Sequence, residues 1–152
     1  MATGTVSSIT GDNWQLISSV TPTAAATEVT FSSLSGYKTI MLSLKDVTSS
    51  GGFLSCYFNG DLTGGDYVGS SANGTGTYIG LASSSTNARA AFAIINDVNK
   101  SIPHRVDVGV WYTQGNSIQA WTNPTPITSI TVYLDGQTFS GAGTVAIYGI
   151  AA

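Results

Sequence analysis

Apolar residues in this chain recur at every second position, in short runs, and hold a helical spacing nowhere over three turns. From Tyr37 to Val47 the run puts Ile40, Leu42 and Leu44 on one side. Phe53 to Asn59 does the same with Leu54, Cys56 and Phe58, and Arg105 to Thr113 with Val106, Val108, Val110 and Tyr112. Alternation of this kind belongs to strands that lay one face on a core and turn the other to water. Shorter runs at Trp14–Val20, Thr27–Phe31 (Val29 and Phe31 inward), Tyr78–Leu81, Ala88–Ile95 (Ala90, Phe92 and Ile94 on one face) and Ser117–Thr122 extend the series. Between the runs lie Gly, Ser, Asn and Pro, the residues that punctuate strands.

The closing stretch, Ile127 to Ile150, reads as a β-hairpin. Ile130, Val132 and Leu134 share one face, Asp135-Gly136 supplies the turn, and Val145, Ile147, Tyr148 and Ile150 make the returning strand. In all, about ten short strands are expected, which makes the fold class an all-β antiparallel β-sandwich, with a jelly roll as its expected form. Residues 1–12 are small and polar without a sustained period and read as an extended N-terminal arm that orders on a neighbour. Residues 13–152 then form one sandwich domain, a chain length able to bury about 70% of its unfolded surface. The glycine-rich stretch from Gly60 to Thr77 is the long loop, and loops of that length are commonly functional.

Only 9% of the residues are charged, against roughly 25% in an average soluble domain. A surface so poor in charge repels copies of itself weakly and suits a component covered by partners in an assembly. The net charge is -3, and Lys38, Lys45, Arg89, Lys100 and Arg105 are scattered. Phosphate binding needs a clustered basic patch, so nucleic acid is not an expected partner. Residues 1–10 lack the basic and apolar regions of a signal peptide, and no run approaches the roughly 18 apolar residues of a membrane helix. Neither secretion by a signal peptide nor membrane insertion is expected. Cys56 stands alone, on an apolar face between Leu54 and Phe58, which excludes an internal disulfide and reads as a buried, inert thiol.

Catalytic signatures are sparse. The single histidine, His104, sits between Pro103 and Arg105 and reads as a surface residue at a strand entry rather than a general base. Nucleophile-elbow, phosphate-loop and zinc-spaced cysteine motifs are missing. Any two of Asp46, Asp61, Asp66, Asp97 and Asp107 could pair for glycoside hydrolysis, yet no local feature selects a pair. We expect no enzyme, no catalytic residue and no cofactor. Asn59, Asp61 and Asp66 make a weak candidate set for a calcium ion, because hard cations take many oxygens and glycine lets carbonyls approach. The same residues equally serve as turn formers. Aromatic side chains are the remaining candidates for recognition: Tyr67 and Tyr78 flank the glycine loop, Trp111 falls opposite Val108 and Val110, and Trp121 stands beside the Pro124 turn. Each can anchor an interface or stack on a sugar, or pack at the ends of the sandwich.

The framework Trp14-Gln15-Leu16-Ile17, Val29-x-Phe31, Tyr37-Lys38, Ile127-Thr128-Ser129-Ile130 and Ile147-Tyr148-Gly149-Ile150 resembles small β-sandwich modules of tailed bacteriophages, over residues 14–150. Modules of this kind occur in capsid decoration (cement) proteins and at tail-fibre tips. The resemblance implies a virion structural protein. A lone sandwich behind a short arm suits a cement protein on the outer capsid surface, seated as a homotrimer with the major capsid protein as partner. The other job it implies is a receptor-binding tip that recognises host glycans.

Overall fold

The computed structural model describes residues 13–69, 77–82, 86–110 and 116–152, and all regular structure among them is strand. Seven strands form one sheet in the order β1 (Gln15–Val20), β11 (Thr144–Ala151), β3 (Tyr37–Val47), β7 (Arg89–Asn96), β8 (His104–Val110), β9 (Asn116–Trp121) and β5 (Tyr67–Gly69). Four more form the second, in the order β2 (Glu28–Ser32), β10 (Ser129–Leu134), β4 (Leu54–Phe58) and β6 (Ile79–Ala82). Every pairing is antiparallel. Setting aside the β8–β9 hairpin and short β5, the orders β1-β11-β3-β7 and β2-β10-β4-β6 are those of a jelly roll, with first and last strands adjacent in one sheet. The arm expected at residues 1–12 lies outside the described residues.

The closing stretch is not a hairpin. Its turn forms, with Gly136 in the left-handed region at φ 63°, but β10 and β11 belong to opposite sheets. Each is already flanked on both sides, β10 by β2 and β4, β11 by β1 and β3, so neither has an edge to offer the other. Residues 135–143 carry the chain across instead. Phe139 is buried in the core, donates its N–H to Ala26 O at 2.8 Å and accepts from Ala25 N at 3.1 Å. Gly143, at φ 84°, lets this crossing segment press against β3, because a Cβ there would lie 2.4 Å from the carbonyl of Asp46.

Between the sheets the alternating runs interlock as their period requires. Ile40, Leu42 and Leu44 of β3 face inward with Leu54, Cys56 and Phe58 of β4 and Ile130, Val132 and Leu134 of β10. Burial raises the Cys56 thiol far above its ordinary pKa, which leaves it unreactive. On β7 the inward face is Ala91, Ala93 and Ile95, while Ala90, Phe92 and Ile94 turn outward. Register decides this: Ile40, Leu42 and Leu44 sit opposite Ile95, Ala93 and Ala91. The Phe92 ring then lies across Gly109 of β8, where a Cβ would meet it at 2.3 Å.

One polar residue joins the sheets at their side. Gln119 of β9 accepts from Gly80 N at 3.0 Å and donates to Gly80 O at 2.9 Å, so its amide pairs with the edge of β6 as another strand would. Replacing Gln119 with leucine leaves both Gly80 groups without that partner. We expect a loss of about 1–3 kcal/mol in urea unfolding, with unchanged far-UV circular dichroism.

Candidate functional site

At one end of the sandwich the segment 59–67 meets the segment 121–129. Trp121, at the end of β9, is fully buried and has Phe58, Tyr67 and His104 around it, with ring centroids 5.4, 6.4 and 5.6 Å away. Tyr67 (1% exposed) donates its hydroxyl proton to Asp61 O at 2.9 Å and accepts from Phe58 N at 3.0 Å. Desolvation pushes this hydroxyl's pKa up. Tyr67 and Trp121 are therefore core residues and not surface contacts. The physical reason is that their polar tips find partners inside the fold, so the whole ring can leave water.

His104 departs from its expected place in the same way. It is buried (1% exposed) and stacked on Trp121 at 20° between planes. Its Nε2 donates to Thr125 O at 2.8 Å, and its Nδ1 meets no donor or acceptor among the described residues. Among the described residues neither nitrogen meets a hydroxyl or carboxylate with which it could relay a proton.

The oxygens considered for calcium hold loops together. Asn59 Oδ1 accepts from Thr128 N (2.7 Å), Thr128 Oγ1 (3.0 Å) and Ser129 N (3.1 Å), and its Nδ2 donates to Pro126 O at 2.9 Å. Asp61 Oδ1 accepts from Thr63 N at 2.9 Å, and Oδ2 from Trp121 Nε1 at 2.9 Å and Asn123 Nδ2 at 3.4 Å. Asp66 takes part through its backbone oxygen, which accepts from Thr122 N at 2.7 Å. No group of three or more His, Cys, Asp or Glu side chains gathers among the described residues.

Partial burial works against ionisation of Asp61, but the hydrogen bonds from Thr63, Trp121 and Asn123 outweigh it and bring its pKa down to about 2. Asp66 shifts the other way, through desolvation and then through the neighbouring Asp61. A carboxyl with a depressed folded-state pKa binds its proton more readily when unfolded, so Asp61 stabilises the fold above about pH 4. That stabilisation is lost as pH falls through about 2. Urea unfolding at stepped pH should show the decline, and Asp61→Asn should flatten it.

Other aromatic and apolar side chains lie on the two outer sheet faces, half-buried on the four-stranded sheet and more open on the seven-stranded one. On the four-stranded sheet, Tyr57 and Tyr78 each set a ring edge-to-face against Tyr133, with centroids 5.4 and 5.6 Å apart. Tyr57 also donates to Glu28 Oε2 at 3.1 Å. Tyr78 is thus the one proposed aromatic contact found on an outer face among the described residues; Trp111 lies outside them. Tyr57 and Tyr133 were legible as outward residues, since each stands between two inward neighbours of an alternating strand.

On the seven-stranded sheet a single cross-strand row runs Leu16, Tyr148, Met41, Ile94, Asp107, Ile118. Its ends are open to water, Leu16 at 57% and Ile118 at 56%, and Phe92 stands beside it. Asp107, the one charged member, is bound by Arg105 at 2.8 Å. Between these ends Tyr148, Met41 and Ile94 are half-buried, so the row is a partly exposed, largely apolar line across the outer face. Models of known protein families and curated proteins were both compared with the chain, and none matches it.

Proposed function

We propose that this chain is a structural protein of a tailed-phage virion: a decoration protein that lies on the outside of the capsid and stabilises it. Its partners are the major capsid protein and copies of itself. The observation that supports this reading is the cross-strand row from Leu16 to Ile118, largely apolar and carrying one charged member, Asp107, which is paired with Arg105. Such a surface suits repeated modest contacts, which sum over a symmetric shell into resistance to internal pressure. The chain works by binding and not by catalysis; its histidine is locked in stacking, and Asp61 is occupied with loop closure. Nucleic acid is a poor match for the net charge of -3. No helix among the described residues is long and apolar enough to cross a membrane.

Mixing purified protein with expanded shells that lack it should give saturable co-sedimentation and raise the temperature at which the shells rupture. Failure to bind either expanded or immature shells would overturn the proposal. A second reading, a receptor-binding tip for host glycans, is favoured by the face of Tyr57, Tyr78 and Tyr133 beside Glu28, since sugar rings stack on aromatics and bond to carboxylates. That reading predicts binding to host cells and no change in shell stability.

A further inference from the structure

Among the described residues the two sheets end in four edge strands. β5 has three residues, the backbone of β6 is met by Gln119 at Gly80, and β2, of five residues, carries the charge of Glu28. β1 is different. It has six residues, nearly all exposed, and it is bordered by β11 on one side and by no strand among the described residues on the other. Apolar side chains stand along it: Trp14 at 42% exposure, Leu16 and Val20. No ionisable side chain occurs from Asn13 to Thr27. Monomeric proteins usually blunt such an edge with lysine, proline, an inward charge or a bulge; of these β1 has only the irregularity between Leu16 and Ser18.

We propose that β1 pairs antiparallel with β1 of a second copy of this chain across a two-fold axis, joining two seven-stranded sheets into one. The occupant follows from charge and symmetry. Across a two-fold axis an edge meets itself, so any charge on it would face its own kind; this edge carries none. An antiparallel neighbour also continues the pattern of every pairing in the sheet. The apolar row that begins at Leu16 would run on into the row of the second copy and form one contact surface. The shift in register between Leu16 and Ser18 breaks the ladder into two short stretches. Association should accordingly be of modest strength. The inference rests on the self-association proposed above for the identity of the partner, and sets an isologous dimer in place of the homotrimer that the resemblance implies.

Sedimentation of the full chain between about 1 and 100 μM should show a concentration-dependent dimer, with amides of residues 15–20 more slowly exchanging at the higher concentration. The variant Leu16→Lys/Val20→Lys changes exposed side chains only and should stay monomeric and folded. A monomer throughout, a dimer that persists in the lysine variant, or a trimer would overturn the inference, because an isologous edge pair closes at two. Shell binding, measured in parallel, keeps the two proposals apart. A dimer that ignores shells leaves this edge standing and removes the decoration role; a monomer that stabilises shells does the reverse.

Discussion

Replacing Trp121 with alanine should destabilise the protein by about 3–5 kcal/mol, which for a domain of this size lowers the melting temperature by more than about 6 °C. Two losses add. Removal of a fully buried indole leaves a cavity against Phe58, Tyr67 and His104, and it takes from Asp61 Oδ2 its Nε1–H donor, 2.9 Å away from nitrogen to oxygen. Trp121→Phe separates them. It keeps most of the packing and removes the bond to the carboxylate, for which about 1.5–3 kcal/mol is the usual scale. In a double-mutant cycle with Asp61→Ala, which removes the acceptor, Trp121→Phe should be clearly non-additive. Additive effects would mean that the indole contributes by packing alone.

Gly143→Ala should be nearly as damaging, on the order of 3 kcal/mol, although it adds a single methyl group. The backbone at φ 84° is one that side-chain-bearing residues rarely adopt, and the new Cβ would fall 2.4 Å from both carbon and oxygen of the Asp46 carbonyl. Asp46 is itself left-handed, at φ 54°, where β3 shifts register against β7 between Leu44 and Val47. Two irregular backbones thus meet at this point, and neither can move without disturbing the ladder that β3 makes with β11. Urea unfolding measures the loss. Gly136→Ala is the control: with open space around it, this turn glycine should cost only the strain of its backbone angle.

Alternation made much of the fold legible. The inward faces of β3, β4 and β10 could be read directly, because each strand has apolar residues of similar size on one side and polar or mixed residues on the other. On β7 alternation showed that Ala90, Phe92 and Ile94 share a face but not which way it turns: Phe92 and Ile94 outweigh Ala91 and Ala93, yet register with β3 and the room above Gly109 put the larger residues outside. Pairing partners were not legible. Asp135-Gly136 forms its turn, but whether β11 then folds back on β10 or crosses to the other sheet depends on contacts with β1 and β3, more than a hundred residues earlier in the chain. The loop-end cluster was hidden for a related reason. Tyr67, His104 and Trp121 each sit beside turn residues that suggest a surface, and only the fold shows that the segments 59–67 and 121–129 close over them. Asn59 and Asp61 were visible as turn formers, which is the part they play.

Counting the copies of this chain in purified particles, by quantitative mass spectrometry against the major capsid protein, tests most directly whether it covers a shell. A decoration role predicts a ratio set by shell symmetry, on the order of hundreds of copies per particle. About a dozen copies or fewer would contradict it and place the protein on the tail.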